Sequence, residues 1–373
     1  MDNLPKLEIA VFEGDGIGTE ITEPCLDLLL AASESSGGFE LVFNRLPAGA
    51  GTYQREGTAL PAESMDAARK ADAILLAAMG LPDVRYPDGT EVAPQLDLRF
   101  EFGLYAGVRP VRGLPGTPAV LADPRAASLD FVLIRESTEG LFASRGKGVI
   151  DGDREARDTQ VITRPVSERL FDFAFDLARK RRTAGSPGRV TCVDKANVFK
   201  SFAFFRQIFD ERAALNDDLE AEHAYVDATA LNMIRRPWDF DVLVTENMFG
   251  DILSDLAAGL IGGMGMAPSA DVGEAHAVFQ PCHGSAPDIA GQGKANPTAM
   301  FLSAAMMLEW LADKHEVPDC ARAGLAIRNA VDQAFGAGAL RPSDLGGDAG
   351  TLAVSEAVMA ALQDPRVPTA AAI

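Results

Sequence analysis

The sequence predicts an α/β protein, a sheet covered by helices. Short apolar runs alternate with helical patterns along most of the chain, as expected when each strand feeds a helix that packs back on the sheet. Hydrophobic residues make up 47% and charged residues 24%, an ordinary globular balance that excludes wholesale disorder. The 373 residues suggest two domains, or one large one, at about 150 residues per domain.

In chain order, a first strand over 6–12 leads into Gly14-Asp15-Gly16-Ile17-Gly18 ahead of a helix. These glycines invite a dinucleotide-fingerprint reading, but the third glycine of GxGxxG would fall at Thr19. The stretch reads instead as a tight strand-to-helix turn. Strands follow at 41–45 and 72–78, the latter ending at Met79-Gly80-Leu81-Pro82. No apolar run reaches the about 18 residues of a membrane span. After a strand at 130–135, segment 145–163 is polar, Gly/Asp/Arg-rich and poorly periodic. A loop of that length inside a compact domain is usually a functional excursion, here either a surface loop or an arm that grips a second subunit. Over 167–182, Leu170, Phe171, Ala174, Leu177 and Ala178 share one helical face. A strand at 189–194, a helix at 198–212, strands at 223–227 and 241–245 and a helix at 251–261 continue the alternation. Beyond about Gly273 the pattern is mostly helical. Asn296-Pro297 opens a long helix through Trp310, with Asn as cap and Pro in the first turn.

The 34 Lys and Arg against 54 Asp and Glu give a net charge of −20. Such a body repels phosphate backbones, which disfavours nucleic acid as a partner. Any anion site must be a local knot of arginines. Cys25, Cys192, Cys282 and Cys320 lie far apart with no CxxC spacing, which argues against a zinc site or disulfide scaffold and suits a reducing cytoplasm. The N-terminal residues lack the pattern of a secretory signal.

Asp251 and Asp255 stand four apart among apolar neighbours. On a helix they share a face and repel, so they suit either a hard cation such as Mg²⁺ or Mn²⁺ or a mildly strained helix edge. Asp227, at the end of the strand over 223–227, would add a third carboxylate. Arg99, Arg109 and Arg135 each lie in apolar company. They read as a clamp for a di-acid or as three separate ion pairs. Lys195 follows the strand at 189–194 and is either a base near neutral pH or a surface lysine. The small-residue loop from His283 to Asp288 permits close approach of a flat ligand, and an aspartate there accepts ribose hydroxyls and repels a 2′-phosphate.

The order of these signals resembles the isocitrate/isopropylmalate dehydrogenase family of β-decarboxylating dehydrogenases, nearest its isopropylmalate, tartrate and D-malate branch. The resemblance is carried by GDGIG at 14–18, the stretch 98–111, RESTEG at 135–140, VDKANV at 193–198, VDATA at 226–230, VTENMFGDILSD at 244–255 and HGSAPDIAGQGKANP at 283–297. It implies an isopropylmalate dehydrogenase-like, non-Rossmann fold of two α/β domains. One is discontinuous, 1–104 plus 263–373, and binds the cofactor. The other, 105–262, binds substrate and pairs with a second copy through an arm at about 145–163. In that homodimer Lys195 and Asp227 act in the neighbour's site.

Position by position, the resemblance implies that Arg99, Arg109 and Arg135 clamp a malate-type substrate. Asp251 and Asp255 with the other subunit's Asp227 hold Mg²⁺ or Mn²⁺, and Lys195 is the base for the C2 hydroxyl. Asn197 lies near the nicotinamide, and His283, Gly284, Ser285, Ala286, Asp288 and Asn296 form the adenosine site. Asp288 and Ile289 stand where NADP-dependent relatives carry Lys and Tyr, which points to NAD. The implied reaction is oxidation at C2, loss of CO₂, then protonation at C3. Two positions depart from the family pattern. Phe142 stands where the family places the tyrosine taken as the C3 proton donor, which opens the alternative of a regulatory or weakly active family subunit. Ahead of Arg99, Val92, Ala93 and Gln95 match neither the isocitrate nor the isopropylmalate pattern, and Gln95 adds an amide to an otherwise apolar wall. The expected reaction is NAD- and metal-dependent oxidative decarboxylation of a D-malate-type acid, isopropylmalate by default, with tartrate or D-malate as the alternative.

Overall fold

The computed structural model describes residues 4–364. Its strands are β1 (Lys6–Gly14), β2 (Glu40–Arg45), β3 (Ala73–Ala78), β4 (Ala106–Arg112), β5 (Asp130–Glu136), β6 (Val149–Asp151), β7 (Glu155–Arg157), β8 (Arg189–Asp194), β9 (Glu220–Tyr225), β10 (Val242–Thr245), β11 (Pro268–Val272) and β12 (Ala277–Pro281). The helices are α1 (Ile17–Ser36), α2 (Ala50–Glu56), α3 (Ala62–Lys70), α4 (Pro94–Glu101), α5 (Arg164–Thr183), α6 (Lys200–Ala213), α7 (Val226–Arg235), α8 (Asn247–Leu260), α9 (Thr298–His315), α10 (Pro318–Gly336) and α11 (Thr351–Leu362).

One ten-stranded sheet runs through the molecule in the order β2-β1-β3-β12-β11-β4-β5-β10-β8-β9. Its first five strands come from the two ends of the chain and its last five from the middle. Most pairs are parallel, but β11 is antiparallel to both β12 and β4, and β4 to β5. Every residue of β3 (AILLAA) is buried, because helices cover both faces of a sheet built from such crossovers. Helix α9 is apolar nearly all round and buries most of its length, as a core helix must.

The GDGIG stretch is the tight turn its spacing predicts. Gly14 has φ +71°, and a Cβ there would stand 1.7 Å from the Ala78 carbonyl oxygen. The Asp15 carboxylate ties the turn down by accepting the backbone N–H groups of Ala50, Gly51 and Gly80 at 2.7–2.8 Å.

Some sequence expectations are corrected. Asp227 does not end a strand: β9 stops at Tyr225, and Asp227 lies in the first turn of α7. The region beyond Gly273 is not helical until β12 has been made. Helix α9 begins at Thr298 with Pro297 in the capping position, although the Asn296 side chain still accepts the Thr298 N–H at 3.1 Å. Strands β4 and β11 break the apolar pattern with Arg109, Pro110, Arg112, Ser269 and Asp271, which hides them from periodicity.

Segment 145–163 carries the antiparallel hairpin β6–β7, whose six strand residues are all exposed. Its base is stitched: Gly140 and Val161 exchange backbone bonds, and Ser144 Oγ donates to Thr159 O while accepting the Thr159 N–H.

Candidate active site

A cavity of about 340 Å³ opens where β3, β4, β5, β11 and β12 meet α4 and α8. Arg99, Arg109 and Arg135 all line it, so the three arginines form one cluster rather than three unrelated ion pairs. Arg99 comes from α4, Arg109 from β4 and Arg135 from the end of β5. The sheet register explains the gathering. Asp271 pairs with Gly107, and Gly107 pairs with Arg135, so these positions lie in one row across three strands. Arg109, two residues beyond Gly107, faces the same side. Gly107 keeps the row open: a Cβ there would lie 2.6 Å from Ser137 Oγ and 3.0 Å from Asp271 Oδ1.

The arginines are nearly fully buried, which costs heavily unless each charge is answered. Arg99 Nη2 donates to Asp271 Oδ2 at 2.9 Å, and Arg109 Nη2 to Asp271 Oδ1 at 3.2 Å. Arg109 Nη1 also donates to the Ala270 carbonyl at 3.0 Å. Arg135 donates from Nε and Nη2 to Asn247 Oδ1 at 2.9 and 2.7 Å and pairs with Asp251. Burial, reinforced by Arg99 and Arg109, brings the Arg135 pKa down to about 10, so it stays charged at neutral pH. Burial alone would raise the Asp271 carboxyl, but Arg99, Arg109 and Arg135 together hold it well below the usual carboxylate range.

Helix α8 supplies the acidic wall. The Glu246 side chain caps it by accepting the N–H groups of Phe249 at 2.7 Å and Met248 at 3.2 Å. At Gly250 the helix presses so closely on β5 that a Cβ would meet the Arg135 Cβ and Cγ at 2.6 Å. One residue on, Asp251 reaches Arg135, and Asp255 follows on the same face; both line the cavity. Desolvation and the Asp251 charge push the Asp255 carboxyl up. Paired hard oxygens under mutual repulsion fit a divalent cation. Within the single chain the set stops at two: among the described residues no group of three His, Cys, Asp or Glu is placed to hold a metal.

Asp227 and Lys195 lie elsewhere, outside the cavity lining. They pair with each other, Lys195 Nζ to Asp227 Oδ1 at 2.6 Å, and this bond holds the Asp227 carboxyl below its usual value. Asn197 is exposed in the same turn. Around them the surface is unusually apolar. Val198 and Phe199 are more than half exposed, as are Leu231 on α7 and Ile252 on α8.

The loop from His283 borders the cavity through His283 and Gly284. Burial lowers the His283 pKa, and its Nε2 is buried with no partner, an unmet polar atom suited to a ligand. Ser285 Oγ donates to the Gly80 carbonyl, and its own carbonyl accepts the Ile17 N–H at 2.8 Å, so the GDGIG turn backs this loop. Ala286 has φ +37°. Asp288 is exposed, and a Cβ added at Gly284, Gly291 or Gly293 would meet nothing within 4 Å. That open surface fits a flat dinucleotide end. The Asn296 amide is spent within the protein, capping α9 and donating to Asp344 at 3.2 Å. Glu20, which sequence reasoning passed over, accepts the N–H groups of Gly291 and Ala295 at 3.0 and 3.2 Å and so fixes the far end of the loop.

Gln95 lines the cavity with its Oε1 buried and unpartnered. The Phe142 ring lies 5.0 Å from the Arg135 guanidinium carbon. Asp271, Asn247 and Gln280 also belong to the site and are absent from the sequence reading. A carboxylate in the small and apolar run PSADV is the natural complement of arginines in apolar company, and that signal was open to reading.

The family model described as isocitrate/isopropylmalate dehydrogenase matches residues 8–360. The chain belongs to this family. It is 41% identical over 353 residues to the 3-isopropylmalate/3-methylmalate dehydrogenase of Methanocaldococcus jannaschii, covering 94% of this chain and 97% of the relative. It is likewise 41% identical over 362 residues to the 3-isopropylmalate dehydrogenase of Methanothermobacter thermautotrophicus, covering 97% and 100%. Among solved structures, isocitrate dehydrogenase from Methylococcus capsulatus superposes with a TM-score of 0.84 at 36% identity, over 96% of this chain and all of that one. The mixed α/β sheet with its antiparallel centre is thus the fold of this dehydrogenase family. The chain is an isopropylmalate dehydrogenase-like oxidoreductase of the decarboxylating type.

Proposed function

We propose that the protein oxidises and decarboxylates a D-malate-type 2-hydroxy diacid, 3-isopropylmalate first among them, with NAD⁺ and Mg²⁺ or Mn²⁺, as a homodimer with shared active sites. One observation carries this reading: three buried guanidiniums and the Asp251–Asp255 pair face a single cavity.

The arginines bind the two carboxylates, and their burial makes each charge-assisted bond stronger than it would be in water. Asp251 and Asp255 hold the cation, with the partner's Asp227 as third carboxylate. The exposed apolar patch around Lys195 and α7, together with the exposed β6–β7 hairpin, supports burial against a second copy. In that dimer the partner's Lys195 accepts the C2 hydroxyl proton, with Asn197 nearby. His283, Gly284, Ser285, Ala286 and Asp288 face the adenosine end, Asn296 backs them, and the Asp288 carboxylate repels a 2′-phosphate. When bound, the cation would supply electrophilic stabilisation of the charge that develops on the substrate, and NAD⁺ would supply the hydride acceptor. The resulting β-keto acid loses CO₂, and C3 must then gain a proton. The Phe142 ring has none to give, so water or another group completes this step. The chain divides into a cofactor domain, 1–104 plus 263–373, and a substrate and dimer domain, 105–262. Four free cysteines, three of them buried, suit the reducing cytoplasm, and among the described residues no helix is long and apolar enough to cross a membrane.

Tartrate or D-malate is the second reading, favoured by the unpartnered Gln95 Oε1. A buried acceptor left unmet costs about 1–3 kcal/mol, and the C3 hydroxyl of tartrate, or a water in the space that D-malate leaves by having no third substituent, satisfies it where an isopropyl group does not. NADH formation with Mn²⁺ across isopropylmalate, D-malate, tartrate and isocitrate tests both readings. The expected result is turnover with at least one malate-type diacid and a preference for NAD⁺ over NADP⁺ of at least about tenfold. Equal use of NADP⁺ contradicts the role given to Asp288.

A further inference from the structure

Asp271 is the carboxylate on which the arginine clamp is built. Its side chain is 2% exposed and does not line the cavity. Oδ2 accepts from Arg99 Nη2 at 2.9 Å and from Gln280 Nε2 at 2.8 Å. Oδ1 accepts from Arg109 Nη2 at 3.2 Å and lies 3.4 Å from Ser137 Oγ. Each bond to Asp271 fixes one edge of a guanidinium, so the remaining edge is aimed rather than free to rotate. The charge count is equally specific. Asp251, paired with Arg135, and Asp255 carry two negative charges that a divalent cation would balance. The three guanidiniums with Asp271 behind them then leave two positive charges. A malate-type diacid carries two negative charges and a tricarboxylate three.

We propose that Asp271 is the positioning and charge-setting residue of the clamp: it aims Arg99 and Arg109 and cancels one of the three arginine charges, so that the cavity selects dianionic hydroxy acids over trianionic ones. This rests on the reading of the cavity as a hydroxy-diacid site. Discrimination then comes from a charge held inside the protein, as much as from any group that touches the substrate's third substituent.

Two near-isosteric variants move the charge in opposite directions. Asp271→Asn raises the clamp by one charge. Gln280→Glu replaces the amide that donates to Asp271 with a second carboxyl, which the neighbouring guanidiniums favour in its ionised form, and so lowers the charge by one. The full-length enzyme with Mn²⁺ and NAD⁺ is assayed with 3-isopropylmalate, D-malate and isocitrate. Selectivity is read as the ratio of kcat/KM for isocitrate to that for the better diacid, or as the ratio of inhibition constants where isocitrate is not turned over. The expected result is a ratio raised at least about tenfold in Asp271→Asn and lowered at least about tenfold in Gln280→Glu, with KM for NAD⁺ unchanged in both. A carboxylate that merely stabilises the fold would change both substrates alike. An unchanged ratio, or a shift in the same direction in both variants, overturns the proposal. If Asp271→Asn does not fold, the direction of the Gln280→Glu shift decides alone. If the wild-type protein turns over no diacid, the hydroxy-diacid reading fails. If it does and the variants leave the ratio untouched, only the role of Asp271 fails.

Discussion

Phe142 and Arg135 show how much one side chain decides in this cavity. The phenyl ring packs on the guanidinium at 5.0 Å and so contributes to holding Arg135, but it offers no proton where the family resemblance places a phenol. Restoring the hydroxyl with Phe142→Tyr is expected to speed protonation at C3, and with it steady-state formation of the decarboxylated product, at least about tenfold if proton delivery limits turnover. Hydride transfer from C2, followed by single-turnover NADH absorbance, is expected to stay within about twofold, since that step precedes the missing proton. A variant that changes both steps equally points to altered packing of Arg135 instead. At this scale the sequence was legible where charge stands against its surroundings. Arg99, Arg109 and Arg135 each interrupt an apolar run, and Asp251 and Asp255 repeat at helical spacing. Asp271 was passed over: in a chain of net charge −20 one more acid in a small and apolar run draws no notice, and the β11–β4 register is what sets it beside the arginines.

Helix α8 joins the clamp to the acidic pair, and the joint is Gly250. Gly250→Ala forces its methyl into the Arg135 side chain, 2.6 Å away. Overpacking of this kind costs about 1–3 kcal/mol, measurable by denaturant unfolding. It is expected to move Asp251 off Arg135 and to raise KM for the diacid together with Kd for Mn²⁺; wild-type stability and affinity would show that the contact has slack. The same helix sets a pH dependence. The Asp255 carboxyl titrates above its ordinary value because of desolvation and Asp251. A raised carboxyl means the folded protein holds its proton more tightly than the unfolded chain, so stability is lost as pH rises through the folded value. A divalent cation relieves that repulsion. Mn²⁺ is therefore expected to raise Tm more at pH 8 than at pH 5, and Asp255→Asn is expected to remove the difference. An equal Mn²⁺ effect at both pH values contradicts the assignment. Elements with clean periodicity were legible to within a few residues, as β8 and α5 show. The boundary of β9 was not. Its sequence EAEHAY alternates weakly, and the apolar residues beyond it belong to α7, which places Asp227 on a helix.

At the scale of the whole molecule, the incomplete site and the exposed apolar patch answer each other. The cavity gathers three arginines and two aspartates but no lysine, while Lys195 and Asp227 stand paired at a surface that also exposes Val198, Phe199, Leu231 and Ile252. In the dimer proposed above, each cavity receives the other copy's Lys195 and Asp227. This proposal draws on the family resemblance, since no spacing within one chain shows that two residues act in another. The decisive measurement is complementation between two inactive variants, Lys195→Met and Asp255→Asn, unfolded together and refolded as a mixture. If the sites are shared, every mixed dimer carries one site with both residues intact, and random pairing returns about a quarter of the wild-type specific activity. Activity that stays at the level of the separate variants, in a mixture shown by differential tagging to contain mixed dimers, places Lys195 and Asp255 in the same chain's site and contradicts the account.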